Sequence, residues 1–135
     1  MKILVIENAG RIAACLSNLE VELACHIDET QALKAAEEFG PELVFLGYAL
    51  LADQTPDYIR SFANALPTAS LIVVGENTSD ECVLRCLLAG AKGYQELQSL
   101  PHYNARLIQA IGRGEAWVSR KMVASLLDAV RRLVL

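Results

Sequence analysis

This sequence predicts a single α/β domain, with five parallel strands in one doubly wound sheet and helices on both faces. Three observations carry that reading. Short apolar runs alternate along the chain with longer stretches whose apolar residues recur at helical spacing. The short runs are apolar throughout, as expected of strands covered on both faces. Proline, glycine and short polar residues fall between these stretches, where helices start and stop. At 135 residues the chain is the length of one domain and buries a core without disulfides.

The elements follow in order. Residues 3–6 are the first strand. Over residues 9–20, Ile12, Cys15, Leu16 and Leu19 share one helical face. Residues 23–27 form a weaker strand. Asp28, three residues before Gln31, opens a helix that turns Ala32, Leu33, Ala36 and Phe39 inward, and Gly40 with Pro41 ends it. Residues 43–46 are the third strand, stopped by Gly47. Thr55 reads as an N-cap followed by Pro56 in the first turn. That helix buries Ile59, Phe62, Ala63 and Leu66, and Pro67 closes it. Residues 71–74 are the fourth strand. Thr78 and Glu81 have capping-box spacing for a helix that buries Val83, Leu84, Leu87 and Leu88 and ends at Gly90. The fifth strand is placed at 92–95, and a helix at 103–112 follows Pro101. Right-handed crossovers limit the topologies, and a flavodoxin-like sheet fits best. Function in such sheets gathers at the carboxyl ends of the strands. Those ends are at Glu7 and Asn8, Gly47 and Tyr48, Gly75 and Glu76, and after Tyr94.

Composition narrows the function classes. The chain is 53% apolar with mean hydropathy +0.30, yet no uninterrupted apolar segment reaches the roughly 18 residues of a membrane helix. Its N-terminus has no signal-peptide pattern, so a cytoplasmic protein with no membrane partner is expected. Cys15, Cys25, Cys82 and Cys86 sit in apolar or periodic stretches and read as small buried hydrophobes. His26 and His102 have no partner at ligand spacing, so no metal site is expected. Net charge is −4, unevenly spread. Residues 1–100 hold six Lys/Arg against fourteen Asp/Glu, a balance of −8, and residues 101–135 hold six against two, +4. A body at −8 repels a phosphate backbone, which argues against direct DNA binding by this domain.

At the strand ends the chain resembles the receiver domains of bacterial two-component response regulators. "KILVIEN" at 2–8 resembles that family's first strand and acidic pair, "PELVFLGY" at 41–48 its third strand, and "LIVVGEN" at 71–77 its fourth. "AGAKGYQEL" at 89–97 resembles its fifth-strand motif, and "AIGRGEAWVSRKMVASLL" at 110–127 the segment after the receiver in the NarL/FixJ-like subfamily. The resemblance implies a CheY-like fold, with residues 1–114 the receiver-like domain and 115–135 a linker and extra C-terminal helix. In that subfamily the segment leads to a helix-turn-helix domain. DNA would be reached only through such a separate output domain.

Carried over residue by residue, the phosphorylation site is degenerate. Glu7 keeps a carboxylate, but Asn8 stands beside it where the resemblance implies a second acidic residue. The phosphoacceptor position falls on Gly47, the Thr/Ser position on Gly75 and the lysine position on Leu97. Tyr94 falls on the aromatic switch position. Phosphoryl transfer needs a nucleophilic carboxylate, a cation held by hard oxygens, and partners for developing charge. These residues do not supply them, so no enzyme activity and no cofactor are expected. Asp53 and Asp57 follow the third strand as surrogate acceptors to weigh, Asp53 in a loop that could bend toward the strand ends. Asp57 is better read as a charge favourable to the dipole at a helix N-terminus.

Two readings stay open for the glycines. Gly47 and Gly75 permit positive φ or tight turns, or their missing side chains leave a ligand crevice lined by Glu7, Asn8, Gly47, Tyr48, Gly75 and Tyr94. Glu7 is a remnant or a hydrogen-bonding acceptor that fixes a loop. Ser119 caps a last helix running to about Leu133, with Val123, Leu126, Val130 and Leu133 at heptad spacing and Leu127 and Val134 beside them. That helix packs back on the domain, or it is a dimer seam or a lever to an output domain. The expectation is a phosphorylation-independent pseudo-receiver acting through protein contacts, as a homodimer. Its interface candidates are Val83, Leu87, Tyr94 and the tail stripe. A small-ligand sensor is the alternative.

Overall fold

The structure is a computed structural model describing residues 1–134. Five parallel strands form one sheet in the order β2-β1-β3-β4-β5: β1 Lys2–Ile6, β2 Glu22–His26, β3 Leu43–Gly47, β4 Ser70–Gly75 and β5 Gly93–Glu96. The helices are α1 Arg11–Leu16, α2 Glu29–Phe39, the single turn α3 Tyr48–Leu51, α4 Thr55–Ala65, α5 Asp80–Ala89, α6 Leu100–Gly112 and α7 Arg120–Val134. None is long and apolar enough to cross a membrane.

Strand alternation divides the core in two. Leu4, Ile6, Val44, Leu46, Leu71 and Val73 pack against α2, α4 and α5 through Ala32, Ala36, Ile59, Phe62 and Cys86. Their neighbours Ile3, Val5, Leu43, Phe45, Ile72 and Val74 point to the other face and meet Ile12, Leu16, Leu100, Leu107 and Ile111 of α1 and α6. The unbroken apolar strands follow from this double coverage. In register, Val5 lies opposite Phe45, and Phe45 opposite Ile72. The strand ends therefore emerge together on one edge.

Several helix signals act as the sequence suggests. Asp28 accepts from the Gln31 N–H at 2.8 Å, and Gly40 takes the left-handed C-cap conformation at φ 64°. Ser119 accepts from the Met122 N–H at 3.1 Å.

Other expectations need correction. The first helix is only Arg11–Leu16 rather than 9–20. Leu19 reaches the same core half-buried through a turn, its N–H bonded to the Leu16 carbonyl. Apolar spacing fixed which side chains face inward but not the backbone between them. β2 ends at His26, leaving Ile27 74% exposed. Thr55 is not a cap. It already has helical φ/ψ because a 3-10 turn, Ala52–Gln54, runs straight into α4, whereas an N-cap needs extended backbone. Ser79, not Thr78, caps α5, accepting from the Cys82 N–H at 3.2 Å. The inward face of α5 is Val83, Cys86 and Ala89, and Leu88 is 47% exposed. α6 starts at Leu100, three residues early, with Pro101 in its first turn. Of the four cysteines only Cys86 is buried, and Cys25 is exposed on the edge strand β2.

The tail returns to the domain. Trp117 forms a parallel bridge with Gly93, its N–H bonding the Lys92 carbonyl at 2.9 Å and its carbonyl accepting from the Tyr94 N–H at 3.0 Å. This one-residue extension covers part of the open edge of β5. α7 then packs against α5, with Met122 buried beneath it and Lys121 paired to Asp80 at 2.8 Å.

Candidate functional site

The carboxyl ends of β1, β3 and β4 surround a crevice of about 170 Å³. Its lining includes Glu7, Asn8, Gly47, Tyr48 and Gly75, five of the six residues expected there. Tyr94 is the exception. It lies beyond Gly75 and faces the tail, lining a separate hollow with Thr78, Val83 and Met122. Arg11, Ile12, Leu50, Val74, Glu76 and Leu97 also line the crevice.

Glu7 is 7% exposed, and its carboxylate is fully committed. One oxygen accepts from the Ile12 N–H at 2.8 Å and the other from the Ala13 N–H at 2.9 Å. These are free donors in the first turn of α1. A carboxylate is well placed there because it satisfies orphan N–H groups and opposes the helix dipole. The cap also serves a helix that starts from Gly10 at φ 70° without a capping side chain of its own. Each oxygen accepts one of these bonds, and the neutral Asn8 next door leaves Glu7 a single carboxylate rather than an acidic pair. Among the described residues, no three His, Cys, Asp or Glu side chains are grouped to hold a metal ion.

The two glycines differ. Neither has positive φ, so that part of the turn reading is corrected for both. Gly47 sits in extended backbone at φ −73°. A β-carbon on it would meet only ordinary contacts, 3.4 Å from Glu7 Cβ and 3.5 Å from Ile12 Cδ1. Packing tolerates a side chain here; its absence simply leaves room. At Gly75 a β-carbon would overlap Thr78 Oγ1 and come within 2.9 Å of the Tyr94 hydroxyl. That space is taken.

A polar network explains the difference. The Tyr94 hydroxyl lies 2.9 Å from both Thr78 Oγ1 and Glu96 Oε1. Glu96 Oε2 accepts from the Asn77 N–H at 3.0 Å, where Asn77 takes φ 53°. Burial, helped by the Glu96 carboxylate and opposed by Thr78, pushes the Tyr94 phenol up to about 12. The phenol thus stays a neutral donor, seated over Gly75. Thr78 was missed as a member of this site because its spacing to Glu81 mimics a cap. Arg11 and Glu76 form an ion pair across the crevice rim, joining α1 to the loop after β4. Only tertiary proximity reveals that pair.

The remaining candidates fall as follows. Leu97 is half-buried in the crevice wall. Asp53 is exposed in the 3-10 turn and does not line the crevice; Asp57 is exposed in the first turn of α4 and pairs with Arg60 at 3.3 Å. Val83 is 5% exposed beneath the chain's own tail, and Leu87 and Leu126 are half-buried. Val123, Val130 and Leu133 are exposed, as are Leu127 and Val134.

No family model matches the chain, and no curated protein matches its sequence. Solved structures do match it. A two-component response regulator of the LuxR family from Aurantimonas sp. SI85-9A1 is 17% identical, with TM-score 0.77 over 95% of this chain and 96% of that one. The isolated REC domain of RcsB from Salmonella enterica serovar Typhimurium, in its apo form, is 16% identical, with TM-score 0.81 over 95% and 98%. The non-phosphorylated receiver domain of the stress response regulator RcsB from Escherichia coli is 16% identical, with TM-score 0.76 over 89% and 98%. At such identities the likeness establishes the fold. It is the CheY-like receiver fold, with an additional C-terminal helix.

Proposed function

We propose that this chain is a pseudo-receiver, a regulatory signalling module of a response-regulator-type transcription factor that works through protein contacts and dimerisation, without aspartyl phosphorylation. The observation that carries this reading is the committed state of the strand-end site. Glu7 is spent on the N-terminus of α1, and Gly47 offers no nucleophile. Gly75 is overlaid by Thr78 and Tyr94, and Leu97 brings no positive charge. The scaffold that positions a phosphorylation site is kept while its chemistry is missing. The Tyr94 network instead ties the strand ends to Trp117 and the tail through the Tyr94 backbone N–H. The contact surface in this reading is the exposed stripe of α7, because Val83 is covered by the chain itself.

Incubation with acetyl phosphate and Mg²⁺, followed by intact mass and light scattering on one sample, tests the reading. The expected result is an unchanged mass and a scattering mass of two chains of 14.7 kDa. A stoichiometric phosphoryl adduct overturns phosphorylation independence, and a monomer at high concentration overturns the dimer.

One observation favours a second reading, a small-ligand sensor. The crevice beside Gly47 stays open even though Tyr94 and Thr78 fill the space at Gly75.

A further inference from the structure

The crevice at the strand ends is unusual in its charge balance. Its site in the fold would suit an anion or a cation, yet every charged group around it is already partnered. The Glu7 carboxylate takes the N–H groups of Ile12 and Ala13. That contact holds the carboxylate without cancelling its charge, and it uses the helix donors that would otherwise receive an anion. Arg11 and Glu76 neutralise each other at the rim. Leu97 contributes only hydrocarbon. An anion entering here gives up hydration beside the Glu7 carboxylate without gaining a free countercharge, and that is costly.

The walls point the other way. Ile12, Leu50, Val74 and Leu97 supply aliphatic surface, and Tyr48 supplies an aromatic ring. Gly47 contributes no side chain to the lining, where a β-carbon would meet Glu7 and Ile12 at ordinary contact distance. The volume of about 170 Å³ is close to the roughly 150 Å³ of an engineered apolar cavity that binds benzene. Asn8 and the Arg11–Glu76 pair at the mouth offer hydrogen bonds to a single polar group.

We infer that the crevice binds a neutral, flat, one- or two-ring aromatic or heteroaromatic molecule bearing a single polar group, and that it rejects phosphate and carboxylates. The inference rests on the small-ligand reading above and names the ligand class for it. The ring lies over Gly47 between Leu97 and Ile12, and its polar group sits at the Arg11–Glu76 rim.

Titration of the ¹⁵N-labelled chain tests this, with indole as the neutral probe and indole-3-carboxylate as its charged counterpart. Indole is expected to give saturable amide shifts centred on Ile12, Gly47, Leu50 and Leu97, with the carboxylate at least tenfold weaker. Leu97→Trp and Gly47→Val fill the space from opposite sides. Whichever of them keeps a dispersed spectrum should weaken indole at least tenfold. If the carboxylate binds these same amides as tightly as indole, the neutral class is wrong while the crevice remains a ligand site. If neither probe gives saturable shifts, this inference and the sensor reading fall together. Shifts that map instead to Leu127 and Val130 of α7, or that survive both filling variants, overturn the site.

Discussion

Single residues at the strand ends decide what this domain can do, and they act by geometry as much as by chemical type. Gly47 and Gly75 stand at the carboxyl ends of the neighbouring strands β3 and β4, Gly47 in register with Val74. One leaves a space and the other is filled by Tyr94 and Thr78. The sequence alone assigned them the same alternatives. Thr55 gives a second example. Its position before Pro56 predicts a cap, but it lies inside a continuous run of helical turns with its side chain fully buried. Its Oγ1 is, among the described residues, the buried side-chain polar atom with no hydrogen-bond partner. A buried hydroxyl without a partner costs stability. Thr55→Val removes that group and keeps the branched shape, so urea unfolding should show a gain of about 1 kcal/mol. A loss of similar size would mean the hydroxyl is satisfied after all.

The tail is the element that the sequence left most open. Packing back on the domain and forming a seam were alternatives, and the structure gives each a portion of the helix. Its N-terminal part is latched by Ser119, Lys121 and Met122. Its later turns leave Leu127, Val130 and Leu133 exposed. The latch begins before the helix, at the Trp117 bridge to Gly93. There a β-carbon on Gly93 would overlap the Trp117 carbonyl oxygen, which is backbone and cannot rotate away. The indole N–H donates to Gln95 Oε1 at 2.9 Å, and the ring lies 6.3 Å from that of Tyr103. Gly93→Ala should therefore destabilise the domain by about 1–3 kcal/mol and release the segment. Trp117 is the single tryptophan, so its emission should shift to the red. An unchanged emission maximum with unchanged stability would show that the tail is not pinned there.

For the whole molecule, buried neutral groups set the response to alkali. Burial pushes the Cys86 thiol up to about 11 and the Tyr94 phenol up to about 12, and it also raises Tyr58. Unfolded, these groups lose their protons near 9 and 10. The folded state therefore holds more protons than the unfolded state through this window, and stability falls as pH rises. The stabilising contribution is complete below about pH 9 and is lost progressively toward about 12. Urea midpoints taken at pH 7.5, 9.5 and 10.5 should decline in that order. A flat profile would contradict the burial of these groups as neutral donors.

Strand identity, the parallel class and the residues that stand at the strand ends were legible in the sequence. They depend on local pattern: apolar runs, helix punctuation and the residues at run ends. The length of α1, the cap of α5 and the inward face of α5 were not. Packing decided each of them. Leu19 joined the core through a local turn, Thr78 was drawn to Tyr94, and Cys86 and Ala89 rather than Leu88 packed on the sheet.

By itself, then, the sequence determined that five strands would form one parallel sheet and that no side chain would stand at position 47, at the end of the third strand. Both follow from residue type and period. Only the tertiary structure decided that Glu7 is spent on α1, that Tyr94 occupies the space over Gly75 while Gly47 stays open, and that the tail lies across β5. Those outcomes depend on distances between groups far apart in sequence, which no local pattern encodes.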